Sequence, residues 1–134
     1  MNARNPKFSD NFTIKEMACP CCGVIKLAPG FINALESLRF KYDSPMIINS
    51  ACRCKDHNTD ISGHHRSLHL IDNVEHGCDT CAVDVRRPNG LMLHKLLTNA
   101  LELGFSVGIA PTFIHLDKRT EYTSLVLEPR VCTY

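Results

Sequence analysis

The sequence predicts a small α+β domain in which an antiparallel sheet carries helices on one face. Two segments repeat apolar residues at helical spacing, whereas five short segments are rich in branched residues or alternate in polarity, as strands do. With 134 residues, the chain is long enough for one hydrophobic core and too short for two. We therefore treat residues 1–134 as a single domain.

The N-terminal part of the chain combines a polar lead-in with a cysteine-rich turn. Residues 1–16 predict a lead-in and a short turn of helix, capped by Ser9-Asp10 or by Thr13. Pro20 and Gly23 interrupt regular structure, so we expect the cysteines near them to lie in an irregular knuckle.

A helix and a strand follow this turn. The helix covers residues 30–42 and buries one face, which is formed by Phe31, Leu35, Leu38 and Tyr42. The apolar run at 46–50 then predicts a short buried strand. Residues 52–66 are polar and suit a helix and loop that cover a cleft, where binding residues tend to lie.

The second half of the chain combines strands with one helix. Residues 82–86 alternate in polarity and predict a strand that ends at the turn 88–90. Gly104 ends the helix that follows, whose apolar face comprises Leu93, Leu96, Leu97, Ala100 and Leu101. Three further strands are expected over 106–110, 113–117 and 124–127.

Charge and hydropathy argue against several classes of partner. Fifteen basic and fourteen acidic residues leave a net charge of +1, which favours neither nucleic acid nor a membrane as a partner. No apolar run is long enough to span a bilayer, and the first residues lack the apolar core of a secretory signal. We expect a protein that is cytoplasmic as synthesised, and a monomer.

Five polar motifs follow one another along the chain: Ser50-Ala51-Cys52-Arg53, His57-Asn58, Ser67-Leu68-His69, Ala82-Val83-Asp84 and Phe113-Ile114-His115-Leu116-Asp117. In this order they resemble the zinc peptidases that cut bacterial cell-wall peptides, the D-Ala-D-Ala carboxypeptidases and L-Ala-D-Glu endopeptidases. The resemblance covers about residues 8–117 and is closest to the carboxypeptidase branch. Two positions depart from the family pattern, because Ala51 and Gly63-His64 stand where a glycine and a glycine pair are usual.

The resemblance implies a catalytic zinc bound by His69, Asp84 and His115, in the fold shared by these peptidases and the hedgehog signalling domain. Two imidazoles and one carboxylate leave a coordination position open for water. Such a zinc lowers the pKa of the water and polarises the substrate carbonyl. Side chains two apart on a strand share a face, so a strand over 113–117 directs His115 and Asp117 to the same side.

The spacing between the first two implied ligands is unusual for this family. Fourteen residues separate His69 from Asp84, more than is typical, and we interpret residues 71–81 as an inserted loop. His76 in this loop competes for the role of first ligand. We prefer His69, because Ser67 precedes it at the family's spacing.

Three further residues match positions with catalytic or substrate-binding roles in the family. Thr112 stands where other branches carry an acidic residue and cannot replace it as general base. Asp117 is our candidate for that base, with the alternative that it orients His115. Arg53 suits a substrate carboxylate or an oxyanion, and Ser67 a hydrogen bond to the substrate.

Eight cysteines are many for this length, and cytoplasmic thiols bind metal more often than they form disulfides. Two pairs have the spacing of a closed structural zinc site, which would tie the inserted loop to the N-terminal knuckle: Cys19, Cys22, Cys78 and Cys81. Cys52 and Cys54 compete for the same partners, or form disulfides with the knuckle outside a reducing compartment. For Cys132 we expect an unpaired thiol.

The leading hypothesis is a zinc-dependent peptidase that hydrolyses peptidoglycan stem peptides and, if it is a phage lysin, reaches the cell wall after release. It would use one catalytic zinc ion, with a structural zinc as a second. A non-catalytic zinc-binding domain of the same fold is the alternative, favoured by Thr112. A zinc-ribbon interaction module organised by the cysteines is the third hypothesis.

Overall fold

The computed structural model describes residues 6–123 and 128–134. Its helices are α1 (Ile14–Met17), α2 (Phe31–Tyr42), α3 (Lys55–Asp60), α4 (Gly90–Glu102) and α5 (Arg119–Tyr122). Its strands are β1 (Ile48–Ser50), β2 (Ala82–Arg86), β3 (Ser106–Ile109), β4 (Phe113–Asp117) and β5 (Val131–Thr133). None of the described helices is both long and apolar enough to cross a membrane.

The strands form one sheet in the order β1-β2-β4-β3-β5. The first three pairings in this order are antiparallel, whereas β3 and β5 run parallel. The predicted α+β class is therefore confirmed, but the sheet is mixed instead of purely antiparallel. The prediction missed β5 because this short segment has little strand pattern of its own and pairs through its backbone. The strand predicted over 124–127 lies outside the described residues.

Alternation along the two central strands separates the core from the polar face of the sheet. Val83 and Val85 in β2, with Ile114 and Leu116 in β4, belong to the core cluster. The same cluster contains the buried residues of the two long helices, namely Phe31, Leu35, Leu38, Tyr42, Leu96 and Ala100. Because successive side chains point to opposite faces, Asp84, His115 and Asp117 lie on the other face.

The helix boundaries follow local signals. Thr13 caps α1 in a capping box, in which its side chain accepts from the Glu16 N–H and the Glu16 carboxylate accepts from the Thr13 N–H. The predicted helix over 30–42 is α2, which begins at Phe31 and ends at Tyr42. Gly104, with a φ of +83°, follows α4 in the left-handed conformation that glycine adopts at least cost.

The segment between β1 and β2 crosses the polar face of the sheet and includes α3 and the inserted loop. Arg53 and Leu70 form an isolated parallel bridge, which brings the middle of this segment back towards its start. A second bridge joins Leu27 to Thr80. Backbone hydrogen bonds therefore tie the inserted loop to the chain just after the N-terminal knuckle.

Candidate metal centre

Two of the three implied zinc ligands are cross-strand neighbours. Asp84 in β2 and His115 in β4 are register partners in the antiparallel pair, so their side chains lie side by side on one face. His69 reaches the same place from the crossing segment, where the Arg53 N–H donates to the His69 carbonyl over 2.9 Å. One ligand atom from each residue lies within 4.8 Å of the others.

The hydrogen bonds around the two imidazoles leave one nitrogen of each directed at Asp84. His69 Nδ1 lies 2.8 Å from the carbonyl oxygen of Ala51, and His115 Nε2 lies 2.8 Å from a carboxylate oxygen of Asp117. Both of these partners accept hydrogen bonds only, so the nitrogens facing them carry the protons. His69 Nε2 and His115 Nδ1 then each lie 3.1 Å from the same oxygen of Asp84. The nitrogen of each ring that faces Asp84 can bind a metal ion once any proton on it is displaced, and with the carboxylate these two nitrogens fit the donor set of a catalytic zinc.

Burial and hydrogen bonding set different pKa values for the three side chains. Burial alone would raise the pKa of Asp84, but hydrogen bonds from His115 and His69 outweigh it and lower that pKa. Burial also opposes the charge of His115, yet the Asp117 and Asp84 carboxylates raise its pKa to about 9. For His69 burial dominates and lowers the pKa. The group therefore combines a carboxylate, an imidazole that protonates readily and one that stays neutral.

Asp117 lies beneath His115 and away from solvent. It is completely buried, and its carboxylate accepts from His115 and from Arg119 Nε and Nη2, over 2.8, 3.0 and 2.7 Å. Burial disfavours the charged form, but these hydrogen bonds lower the pKa of Asp117 to about 2. This geometry suits the alternative role, in which Asp117 orients His115, better than that of a base in contact with substrate water. The sequence interpretation missed Arg119, although it follows Asp117 by two positions.

Arg53 contacts the Asp84 carboxylate and the Ser50 hydroxyl. Its Nη2 donates to the second oxygen of Asp84 over 3.2 Å, and its Nε donates to Ser50 Oγ over 3.1 Å. The guanidinium thus holds the carboxylate that faces both histidines. Two of its five N–H groups are engaged within the protein, which gives Arg53 a positioning role.

The His57-Asn58 and Gly63 positions build the loop that leads to His69. Asn58 is buried and its amide donates to the carbonyl of His64 over 2.9 Å. A Cβ on Gly63 would lie 2.0 Å from the Asn58 amide oxygen, so only glycine fits beside it. These residues shape the approach to the centre and lie outside the group of ligand atoms.

A cleft opens beside His115. It is lined by His64, Arg66, Ser67, Leu68, His76, His115, Arg119, Arg130 and Tyr134. None of these described lining residues is a carboxylate, and three are arginines. Ser67 lies here, and its Oγ accepts from the N–H of His69 over 3.2 Å. His76, which competes with His69 for the role of first ligand, also lies in this cleft. The grouped ligand atoms belong to His69, Asp84 and His115, and His76 is not among them.

The structure brings the cysteines together differently from the predicted set. The sulfur atoms of Cys19 and Cys22 group with that of Cys54, and among the described residues Cys78 and Cys81 do not join them. Cys78 instead contacts Cys81, which is completely buried in the core. The inserted loop reaches the N-terminal segment through backbone hydrogen bonds, from Ala28 N–H to Thr80 and from Thr80 N–H to Lys26. All eight cysteines are free thiols.

A known protein family matches most of the chain. Residues 10–117, which are most of the 134 residues and contain all three grouped ligands, match the family model described as Peptidase M15. No curated protein and no solved structure matches the chain.

Proposed function

The chain belongs to the Peptidase M15 family, the zinc peptidases of D-Ala-D-Ala carboxypeptidase type, and on this premise we propose that it hydrolyses peptidoglycan stem peptides. The proposed site binds one zinc ion through His69 Nε2, an Asp84 oxygen and His115 Nδ1. Its support is the convergence of these atoms within 4.8 Å, with both imidazoles held by acceptors in the tautomers that bind metal. When bound there, zinc would supply an activated water and a Lewis acid for the scissile carbonyl.

The surrounding residues keep the ligands in place. Asp117 holds the His115 ring through its Nε2–H, and Arg119 in turn holds Asp117. Arg53 fixes the second oxygen of Asp84. Each ligand side chain therefore has a partner that restricts its rotation, which reduces the reorganisation needed for metal binding.

The cleft beside His115 suits a peptide with a free carboxyl end. Arg66 and Arg130 line it without a carboxylate among the described lining residues, so a substrate carboxylate would meet unopposed positive charge. The Ser67 hydroxyl lies in the same cleft and could donate a hydrogen bond to the substrate. A carboxypeptidase needs this recognition of the chain terminus, which favours release of a terminal D-Ala over cleavage inside the stem.

His76 is our candidate for the residue that takes up the water proton. It lines the cleft with His115, and burial together with the charges of Arg66 and Arg119 lowers its pKa. A neutral imidazole near pH 7 can accept a proton and return it to the leaving amine. In this assignment the inserted loop supplies the general base, a role for which Asp117 is too deeply buried.

Hydrolysis of defined muropeptides tests the proposal. Zinc-loaded protein is incubated with stem peptides that end in D-Ala-D-Ala, with and without chelator, and products are identified by mass spectrometry. We expect release of D-Ala that is lost with chelator and in His69→Ala, and that is retained in His94→Ala, which alters an exposed histidine. A protein that binds zinc through His69 but yields neither D-Ala nor a shortened stem would contradict hydrolysis.

The second candidate is a non-catalytic zinc-binding domain of the same fold. The absence of a carboxylate among the described residues of the cleft favours it, together with Thr112 at the position of the missing acid. Saturable binding of intact muropeptide by calorimetry, without product, supports this candidate. Its natural setting, like that of the enzyme, would be the cell wall, which a phage-type endolysin reaches after release.

A further inference from the structure

Three thiols meet where the N-terminal knuckle packs against the start of α3. We propose that Cys19, Cys22 and Cys54 form a second metal site, a structural zinc held by three thiolates, independent of the peptidase centre. Each pair of their sulfur atoms lies within 4.8 Å. Soft thiolate ligands in this number select zinc over the hard cations that prefer oxygen.

The first two ligands come from a turn with the geometry of a zinc knuckle. The Gly23 N–H donates to the Cys19 carbonyl over 2.7 Å, and Gly23 adopts a φ of +75°, so the chain reverses directly after Cys22. Backbone N–H groups of Cys21 and Cys22 are directed at the Cys19 sulfur. Such N–H···S hydrogen bonds stabilise a thiolate, and the Cys-x-x-Cys spacing places both sulfur atoms on one side of the turn.

The third ligand arrives from a distant part of the chain. The Cys54 N–H donates to the Cys19 sulfur over 3.3 Å, and the Cys54 sulfur accepts from the His57 N–H over 3.4 Å. The Cys52 N–H donates to the Met17 carbonyl over 3.2 Å, which holds the two backbones together. The three thiols are therefore brought together by backbone contacts that do not depend on a disulfide.

The three thiols lie near the surface, so a metal ion can reach them. Cys19 is buried, whereas Cys21 and Cys22 are exposed. The Cys21 thiol contacts that of Cys54, but its sulfur is not one of the three grouped atoms, so the proposed site uses Cys19, Cys22 and Cys54. A single disulfide would satisfy only two of the three grouped sulfur atoms, while one zinc ion satisfies all of them.

The site has a structural consequence for the peptidase centre. Cys54 directly follows Arg53, whose guanidinium holds Asp84. A metal at the three cysteines would fasten this segment to the N-terminal knuckle, as Leu27 and Thr80 fasten the inserted loop. We expect loss of this metal to lower the free energy of unfolding, and to leave the geometry of His69, Asp84 and His115 unchanged.

Cobalt substitution tests the site without relying on activity. Reduced protein is loaded with Co²⁺, because thiolate ligands give an intense near-ultraviolet charge-transfer absorption that imidazole and carboxylate ligands do not give. We expect this band and two bound metal ions in the natural chain. Cys22→Ser, at an exposed position, should lose the band and one metal ion, whereas His69→Ala should lose one metal ion and keep the band.

Two cysteine variants are the matched controls. Cys132→Ser and Cys78→Ser should keep the band and both metal ions, since neither sulfur belongs to the group. Absence of the band from the reduced natural chain, or an unchanged band in Cys22→Ser, would overturn the proposal. So would loss of the band in Cys78→Ser. Because the readout is a thiolate spectrum, it stands whether or not the protein cleaves peptides.

Discussion

Two groups of side chains that could hold a metal ion differ in how the fold assembles them. In the first, Asp84 and His115 are register partners on the central strands, and His69 closes over them with 2% of its surface exposed. In the second, Cys19 and Cys22 lie on one turn at the surface, and Cys54 joins them from another segment. The first group has hydrogen-bonded partners for every side chain, whereas the second relies on backbone N–H groups directed at sulfur.

The difference shows where preorganisation resides in this protein. The strand register fixes the backbone positions of two ligands, and only their side-chain rotamers remain to be set. The sheet therefore arranges this centre before an ion binds. The cysteine group lacks such a frame, because a turn and a loop must be held together. We therefore expect metal to tune chemistry at the first group and to stabilise structure at the second.

Removing the central carboxylate should have the largest effect. In Asp84→Asn the charge that faces both imidazoles and Arg53 is lost, and we expect peptidase activity to fall by about 10³-fold, since zinc stabilises the transition state by several kcal/mol. Steady-state hydrolysis and metal content are the measurements. Asp56→Asn, an exposed carboxylate on α3, is the control and should retain both. Full activity in Asp84→Asn would place the chemistry elsewhere.

Loss of the carboxylate beneath His115 should have the next largest effect. Asp117→Asn keeps the size of the side chain but weakens its hold on the His115 ring, so we expect zinc affinity and activity to fall together by about 10–100-fold. Metal competition titration and hydrolysis measure the two quantities on the same samples. If Asp117 were the general base, kcat would fall while zinc affinity remained unchanged, and the positioning role would be wrong.

The parts of the fold that were predicted correctly are those with local signals. The strands β2 and β4 have the predicted bounds because polarity alternates along them, and α2 was predicted within one residue from its apolar face. Placing His115 and Asp117 on one face follows from the same periodicity. The order of polar motifs, interpreted through the family resemblance, indicated His69, Asp84 and His115.

Features that depend on long-range packing were not predictable from the chain alone. Cys54 approaches Cys19 only because the segment after β1 folds back over the sheet, and no spacing in the sequence encodes this contact. Strand periodicity places Asp117 on a face but does not reveal that Arg119 encloses it. The parallel pairing of β5 with β3 likewise depends on where the preceding chain leads.

Acidity should weaken metal binding at the peptidase centre. The pKa of His115 is raised from 6.5 to about 9, so below pH 9 the metal-free ring carries a proton that zinc must displace. We expect the apparent zinc affinity of this centre to rise about tenfold per pH unit from pH 7 and to level off above 9. Titrations in Cys22→Ser isolate the centre from the cysteine group. An affinity that stays constant over this range would contradict the coupling.

The smallest effect concerns the short helix that precedes the knuckle. Thr13 caps α1, and the Glu16 carboxylate accepts from the Ile48 N–H over 2.8 Å, which ties this helix to β1. Thr13→Ala removes the cap and should lower the free energy of unfolding by about 1 kcal/mol, measured by urea denaturation. Thr98→Ala, exposed on α4, is the control and should not destabilise the protein.

Because α1 leads directly into the knuckle, the Thr13 variant should also bind metal more weakly at the cysteines while the sheet centre keeps its zinc affinity. Equal weakening at both groups would mean that the sheet does not hold its ligands independently of the N-terminal segment.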